Sequence, residues 1–330
     1  MNTMMDRYGR LIRYLRVSLT DRCDFRCIYC MSEQMRFTHR SNILDFEELE
    51  RIIRIMVTLG VHKVRLTGGE PLLRRGLTDF CHRLSRIDGL SERVLTTNGS
   101  HLAFWANDLV RAGIQRINIS LDSLQPERFR QISRVGNLSD VLDGIQSARQ
   151  AGFERIKLNT VILRGINDDE ILPLLEFALQ NKLDISFIEE MPLGEVGRDR
   201  PNQFYSSDWI ETIIRSQYRC SSSYAGSKTD GPSRVLTLDD APGIRVGLIS
   251  PHSHNFCAQC NRVRLTAEGR LLLCLGHEDS LDLRALLRGG ASDEAIETAL
   301  RAQMQFKPER HDFSREESVS IVRFMNMTGG

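Results

Sequence analysis

Between Tyr14 and about Met191 the chain alternates two hydrophobic rhythms. Short runs of period two ("YLRVSLT", "KVRLTGG", "RVLTTNG", "QRINISL", "RIKLNTVIL", "DISFIEEM") read as strands, and stretches of period 3.6 between them read as helices. In "DFEELERIIRIMVTLG" the residues Phe46, Leu49, Ile52, Ile53 and Met56 share one face, and Asp45 stands where it can cap the first turn. Six such units predict a parallel, barrel-like sheet, and the two further units of a full eight-unit barrel are not visible. After Gly194 the rhythm breaks. "GEVGRDRPNQFYSS" reads as a loop, Asp208 to Tyr218 as a helix and "SSSYAGSKTDGPS" as another loop, followed by strand-like "RVLTL" and "GIRVGLI" and then two helices. The predicted organisation is an N-terminal segment 1–13, a partial barrel 14–220 and a C-terminal region 221–330.

Strand parity adds chemistry to this outline. Arg16 and Ser18 oppose Val17 and Leu19; Arg65 and Thr67 oppose Val64 and Leu66; Asn118 and Ser120 oppose Ile117 and Ile119; Lys157 and Asn159 oppose Ile156 and Leu158. Helices must cover the apolar face, so the polar face points inward, where an ordinary closed barrel stacks Val, Ile and Leu. Buried Arg16, Arg65 and Lys157 are costly unless ion pairs, water or a ligand satisfy them. The pattern predicts a hydrated interior that admits an anionic ligand.

At 330 residues the chain buries enough surface to fold without a metal or disulfide. A formal net charge of +1 gives no overall nucleic-acid or membrane footprint, so anion binding must come from local Arg and Lys placement. The N-terminus lacks an apolar signal region and no run approaches the ~18 apolar residues of a spanning helix, which points to the cytoplasm. There, clustered cysteines are more often metal-binding or catalytic than disulfide-bonded.

Six of the eight cysteines fall in two groups. Cys23-x3-Cys27-x2-Cys30 follows the first strand, at the face where barrel active sites assemble. Three thiolates complete neither a four-ligand zinc site nor a four-cysteine iron–sulfur site, whereas a three-cysteine cubane leaves one iron open. Cys257-x2-Cys260-x13-Cys274 is ambiguous alone, because His277 would complete a Cys3His zinc site. Cys81 and Cys220 read as inert thiols. Between the groups lies "VRLTGGEPLLRR", whose paired glycines allow close backbone approach.

The first spacing, with Tyr29 before its last cysteine, resembles the signature of the radical S-adenosylmethionine (SAM) superfamily. "GGEP" resembles that superfamily's methionine-amine-binding element. Together with "LTTNG", "INISLDSL", "IKLNTVILRGIND", "FIEEMPLGE", "FCAQCNRVRLT" and the terminal "GG", the resemblance narrows to the GTP 3',8-cyclase family of molybdenum cofactor biosynthesis and spans about Tyr14 to Gly330. It implies an α/β fold, an incomplete (β/α)6 TIM-like radical SAM barrel whose C-terminal extension carries a second iron–sulfur cluster.

The residue roles follow from that resemblance. Cys23, Cys27 and Cys30 would hold a 4Fe–4S cluster whose open iron chelates SAM, and Tyr29, Gly69, Ser120 and Met191 match SAM contacts. Cys257, Cys260 and Cys274 would hold a second 4Fe–4S cluster facing the guanine. Arg16, Arg65, Thr97, Lys157, Arg262 and Arg264 match GTP-binding positions, and Gly329–Gly330 a tail that reaches the active site. The implied reaction is a lyase-class cyclisation. A 5'-deoxyadenosyl radical takes a hydrogen atom from ribose C3', the carbon radical adds to guanine C8, and reduction gives (8S)-3',8-cyclo-7,8-dihydroguanosine 5'-triphosphate.

Implied partners are GTP, an electron donor such as flavodoxin or ferredoxin, the downstream cyclic pyranopterin monophosphate synthase and a second copy in a homodimer. One departure stands out: this chain has Ser186-Phe187-Ile188-Glu189 where the family pattern reads "RFIE". Phosphate affinity then rests on Arg16, Arg65, Arg262 and Arg264, or on a neighbour such as Arg164 or Arg198. Two other readings compete: a radical SAM enzyme acting on another substrate, which would cleave SAM indifferently to GTP, and a two-zinc module, which would hold no iron.

Overall fold

The computed structural model describes residues 3–223, 233–313 and 321–329. The six strands expected from period-two alternation form: β1 (Tyr14–Ser18), β2 (Lys63–Thr67), β3 (Glu92–Thr97), β4 (Arg116–Ser120), β5 (Arg155–Ile162) and β6 (Asp184–Glu189). Each pairs in parallel with the next. Parallel pairing needs crossovers, supplied by helices α1 (Phe46–Thr58), α2 (Leu77–Leu84), α3 (Leu102–Arg111), α4 (Pro126–Ser133), α5 (Leu138–Ala151) and α6 (Ile171–Asn181). Helix α1 starts on a full capping box between Asp45 and Glu48 and buries Leu49, Ile52, Ile53, Ile55 and Met56, with Phe46 at the margin. The apolar strand residues Val17, Val64, Ile117 and Leu158 are fully buried in the same core.

The chain after β6 extends this sheet. It contributes α7 (Arg200–Gln203), α8 (Ser207–Gln217), β7 (Cys220–Ser223), β8 (Ser233–Leu238), β9 (Ala241–Ile249), β10 (Arg262–Leu265), β11 (Arg270–Leu272), β12 (Ser280–Asp282), α9 (Leu283–Arg288), α10 (Asp293–Met304) and α11 (Met325–Thr328). The strand order is β12-β11-β10-β1-β2-β3-β4-β5-β6-β9-β8-β7, with β10 parallel to β1 and β9 parallel to β6. The parallel array therefore gains a strand at each edge from sequence that lacks the βα rhythm.

Two loop expectations are corrected. Within "GEVGRDRPNQFYSS" the residues Arg200–Gln203 form a helical turn, started by the Asp199 cap and by Pro201 in its first turn, too short to show a period. Ser221–Ser223, read as the start of a loop, belong with Cys220 to a strand. Its "CSSS" carries no alternation and is fixed by pairing with β8, while residues 224–232 of that stretch lie outside the described residues. No helix among the described residues is long and apolar enough to cross a membrane.

Candidate active site

The polar strand face does line a cavity. Arg16, Arg65, Thr97, Ser120, Lys157, Arg262 and Arg264 border it, together with all six clustered cysteines and with Tyr29, Gly69 and Met191. The two cysteine groups lie at opposite ends of one strand pair. Cys23 follows the C-terminal end of β1, whereas Cys260 precedes the N-terminal end of β10, and Tyr14 is level with Arg262. The five residues of β1 set them apart by roughly 15–20 Å at a strand's rise per residue. Arg16 stands midway, level with Arg65 on one side and Arg264 on the other.

The first cysteine loop is built for soft, charged guests. The Cys27 carbonyl accepts from the Cys30 and Met31 amides at 2.9 and 3.3 Å, a tight turn that carries Cys27 and Cys30. The Phe25 amide and the Asn98 side-chain amide point at the Cys23 sulfur at 3.4 and 3.8 Å. Burial pushes all three thiols upward, Cys30 to about 12, and Cys27 is raised further by Cys30 and Asp122. Three cysteine sulfurs bordering one cavity are the soft donor set that a three-cysteine cluster takes, and a bound metal would supply the positive charge needed to deprotonate them.

The "GGEP" turn presses on this loop from behind. The Gly69 and Glu70 amides donate to the Thr20 and Arg22 carbonyls at 2.6 and 2.8 Å. A Cβ on Gly68 would meet the Thr20 carbonyl oxygen at 2.6 Å, so these glycines serve backbone-on-backbone contact. Glu70 is fully buried, pushed up to about 8 by burial, and accepts from Thr97 Oγ1 and the Asn98 amide at 2.7 Å each. Thr97 thus faces the cavity with its hydroxyl committed to Glu70. Tyr29 donates its hydroxyl to Asp122 at 2.7 Å.

The middle of the cavity crowds positive charge. Tyr14 bonds Arg65 Nε at 2.5 Å, and Arg65 also donates to Thr96 Oγ1 at 3.0 Å. Burial alone would raise the Tyr14 hydroxyl, but Arg65, Arg16 and Lys63 outweigh it and bring it to about 7. Burial lowers Arg16 to about 10 and drives Arg264 well down, with Arg16 and Arg262 adding like-charge repulsion. Lys157 faces the cavity yet is hemmed in by protein, and burial plus Arg65 hold it to about 7. Among the described residues no carboxylate lies within ion-pair distance of Arg65, Lys157 or Arg264. The internal-ion-pair reading of this face is not realised there, and the cluster of cations is complementary to an anion.

Other expectations sort themselves by contact. His277 Nε2 faces the Arg310 carbonyl at 3.0 Å and the Asp312 carboxylate at 3.3 Å and does not line the cavity. Arg198 is engaged by Glu190 and Gln203, and Arg164 lies over the Tyr205 ring. Ser186 is buried in the cavity wall, with Arg245 and Arg116 lining the same cavity. The Gly329 carbonyl accepts from Arg264 Nη1 at 2.8 Å and Arg16 Nη2 at 3.1 Å, so the tail is not frayed up to that point, while Gly330 lies outside the described residues. Cys81 is buried in α2, and burial lifts it to about 12.

Sequence reading missed Tyr14, Lys63 and Arg116, each two residues before a residue already assigned inward. The parity that found Arg16, Arg65 and Asn118 extends to them directly.

Residues 17–178 match the radical SAM superfamily and residues 183–313 the family described as Molybdenum Cofactor Synthesis C. The crystal structure of Streptococcus suis SuiB bound to S-adenosylmethionine superposes with a TM-score of 0.64 over 97% of this chain and 78% of that one, at 14% identity, a likeness of fold. Fold and cysteine loop together define a radical SAM protein. GTP 3',8-cyclase 1 of Pseudomonas aeruginosa is 54% identical over 100% of both chains. GTP 3',8-cyclase of Marinobacter nauticus is 53% identical over 99% of this chain and 98% of its own. The chain belongs to the GTP 3',8-cyclase family, radical SAM enzymes of molybdenum cofactor synthesis.

Proposed function

We propose that this chain cyclises GTP between its two cysteine groups, in an incomplete (β/α)6 barrel. Cys23, Cys27 and Cys30 hold the SAM-binding 4Fe–4S cluster, and Cys257, Cys260 and Cys274 hold a second one. Bound at the first group with SAM, such a cluster would supply one-electron, radical-generating chemistry that side chains cannot perform alone. The protein's part is placement. Tyr29, Gly69, Ser120 and Met191 border the SAM end of the cavity, and Arg262 and Arg264 orient the nucleotide from β10. Arg16, Arg65 and Lys157 neutralise its triphosphate, with Arg245 and Arg116 bordering the same cavity as Ser186. The observation that carries this reading is the mid-cavity crowding of cations between the two thiol groups.

The test is anaerobic reconstitution followed by iron counting and SAM cleavage with GTP or ATP. The expected result is about eight irons per chain and 5'-deoxyadenosine that forms only with GTP. Equal turnover with ATP would overturn the substrate assignment.

Lys157 gives a finer handle. A charged hydrogen bond is worth roughly 1.5–3 kcal/mol, and ~1.4 kcal/mol is one decade, so Lys157→Met is expected to raise KM for GTP about tenfold or more. In the ligand-free chain Lys157 loses its proton above about 7, whereas a triphosphate favours the protonated form. Wild-type KM should therefore fall as pH is lowered from about 9 to about 7, and this dependence should flatten in Lys157→Met. A pH dependence that survives the substitution assigns it to another group.

A further inference from the structure

Lys307 is one of the largest fully buried side chains, 1% exposed, in the segment just after α10. Its ammonium donates to the Arg262 carbonyl at 3.1 Å and to the Leu273 carbonyl. Arg262 is two residues from Cys260, and Leu273 immediately precedes Cys274. Two carbonyls supply hydrogen bonds but no net charge, and among the described residues no carboxylate lies within ion-pair distance of Lys307. An isolated ammonium taken out of water is penalised by several kcal/mol, so its position calls for a negative guest.

The surroundings favour such a guest. Arg10, 8% exposed, donates to the Cys257 carbonyl at 2.8 Å and to the Pro308 and Glu309 carbonyls at 2.6 and 2.8 Å. It ties the segment carrying Lys307 to the second cysteine group. Lys307 and Arg262 are the chief cationic side chains acting on Cys260. The Lys307 charge also reaches Cys257 and Cys274. Around the first group Glu70, Asp24 and Asp122 act on the thiols, with the Arg26 guanidinium on the Cys23 carbonyl at 2.6 Å.

We propose that Lys307 is the buried counter-charge of the second iron–sulfur cluster, fixed by the Arg262 and Leu273 carbonyls so that it holds that cluster and favours its reduced state. This rests on the reading that Cys257, Cys260 and Cys274 bind a 4Fe–4S cluster. Each electron added makes a thiolate-ligated cluster more negative, and net charge and hydrogen bonding are what set its potential.

The test is a redox titration of anaerobically reconstituted enzyme by electron paramagnetic resonance, following the cluster signal that SAM leaves unchanged, with iron counted in parallel. In Lys307→Gln, which keeps a donor but no charge, the oxidised-to-reduced ratio at a fixed potential is expected to rise at least about tenfold, about 59 mV for a one-electron couple. Lys307→Arg should stay near wild type. Wild-type enzyme with only about four irons overturns the second-cluster reading itself. A full iron complement with an unchanged midpoint in Lys307→Gln overturns the counter-charge alone. Loss of about half the iron in Lys307→Gln but not in Lys307→Arg supports the proposal, and loss in both overturns it in favour of a purely steric role. Where Lys307→Gln does not fold, Lys307→Met is read the same way; failure of all three variants to fold makes Lys307 structural and overturns the proposal.

Discussion

Cys27→Ala is expected to abolish SAM cleavage, lowering turnover by ~10⁴-fold or more, while the chain stays folded. Cys27 is the middle of the first three cysteines, and its carbonyl receives the Cys30 and Met31 amides. The substitution leaves those backbone bonds in place, so the loop keeps its shape and loses one of three donors. Because the family's chemistry depends on a cluster with an open iron, two thiolates are insufficient. Iron should fall to about half of wild type, the remainder belonging to the second group, with circular dichroism unchanged. Retention of full iron and of SAM cleavage within about tenfold of wild type would show that this loop is not the cluster's seat.

Gly329→Val is expected to cost at least about a hundredfold in cyclisation, the scale on which a ~1 Å misplacement acts, with both iron complements retained. Gly329 sits at φ +75, a left-handed conformation that a β-branched residue adopts poorly. A Cβ there would meet Thr67 Cγ2 at 2.6 Å and Ser18 Cβ at 3.3 Å, inside the strand pair that presents Arg16 and Arg65. The Met325 amide donates to the Cys30 carbonyl at 3.1 Å and Asn326 Nδ2 to the Asp21 carbonyl at 2.8 Å. The tail is thereby stitched to the first cysteine loop before it reaches Arg16 and Arg264. Residues appended after Gly330 should act in the same direction. The check is product formation at saturating GTP alongside iron content; full activity in a C-terminally tagged enzyme would remove the tail from the mechanism.

How much of this was written in the chain depends on the kind of signal. Strands β1 to β6 and their inward cations were legible because burial imposes a period of two, and the same period would have exposed Tyr14 and Lys63 had it been followed two residues further. Strands β9 and β10 were not legible as additions to the parallel array, since partner choice is decided by contacts far apart in sequence. Strand β7 and helix α7 were lost for the opposite reason, being too short or too polar to carry a period. Lys307 gave no signal at all. Nothing in "QFKPER" marks its lysine as buried, and only the packing against β10 and β11 makes it so. The departure at Ser186 was visible, but not that Arg245 and Arg116 border the same space.

The parallel pairing of β1 with β10 turns the backbone into a gauge block. Its hydrogen-bond ladder fixes, residue against residue, how far the first thiol group stands from the second, and no hinge or lid is needed to set that gap. Two ligands that must meet between those ends are thus measured for combined length before any side chain reads their chemistry. Retuning the pocket to a shorter or longer pair of ligands would therefore demand a slip of strand register, and side-chain exchange along the wall would change grip without changing reach.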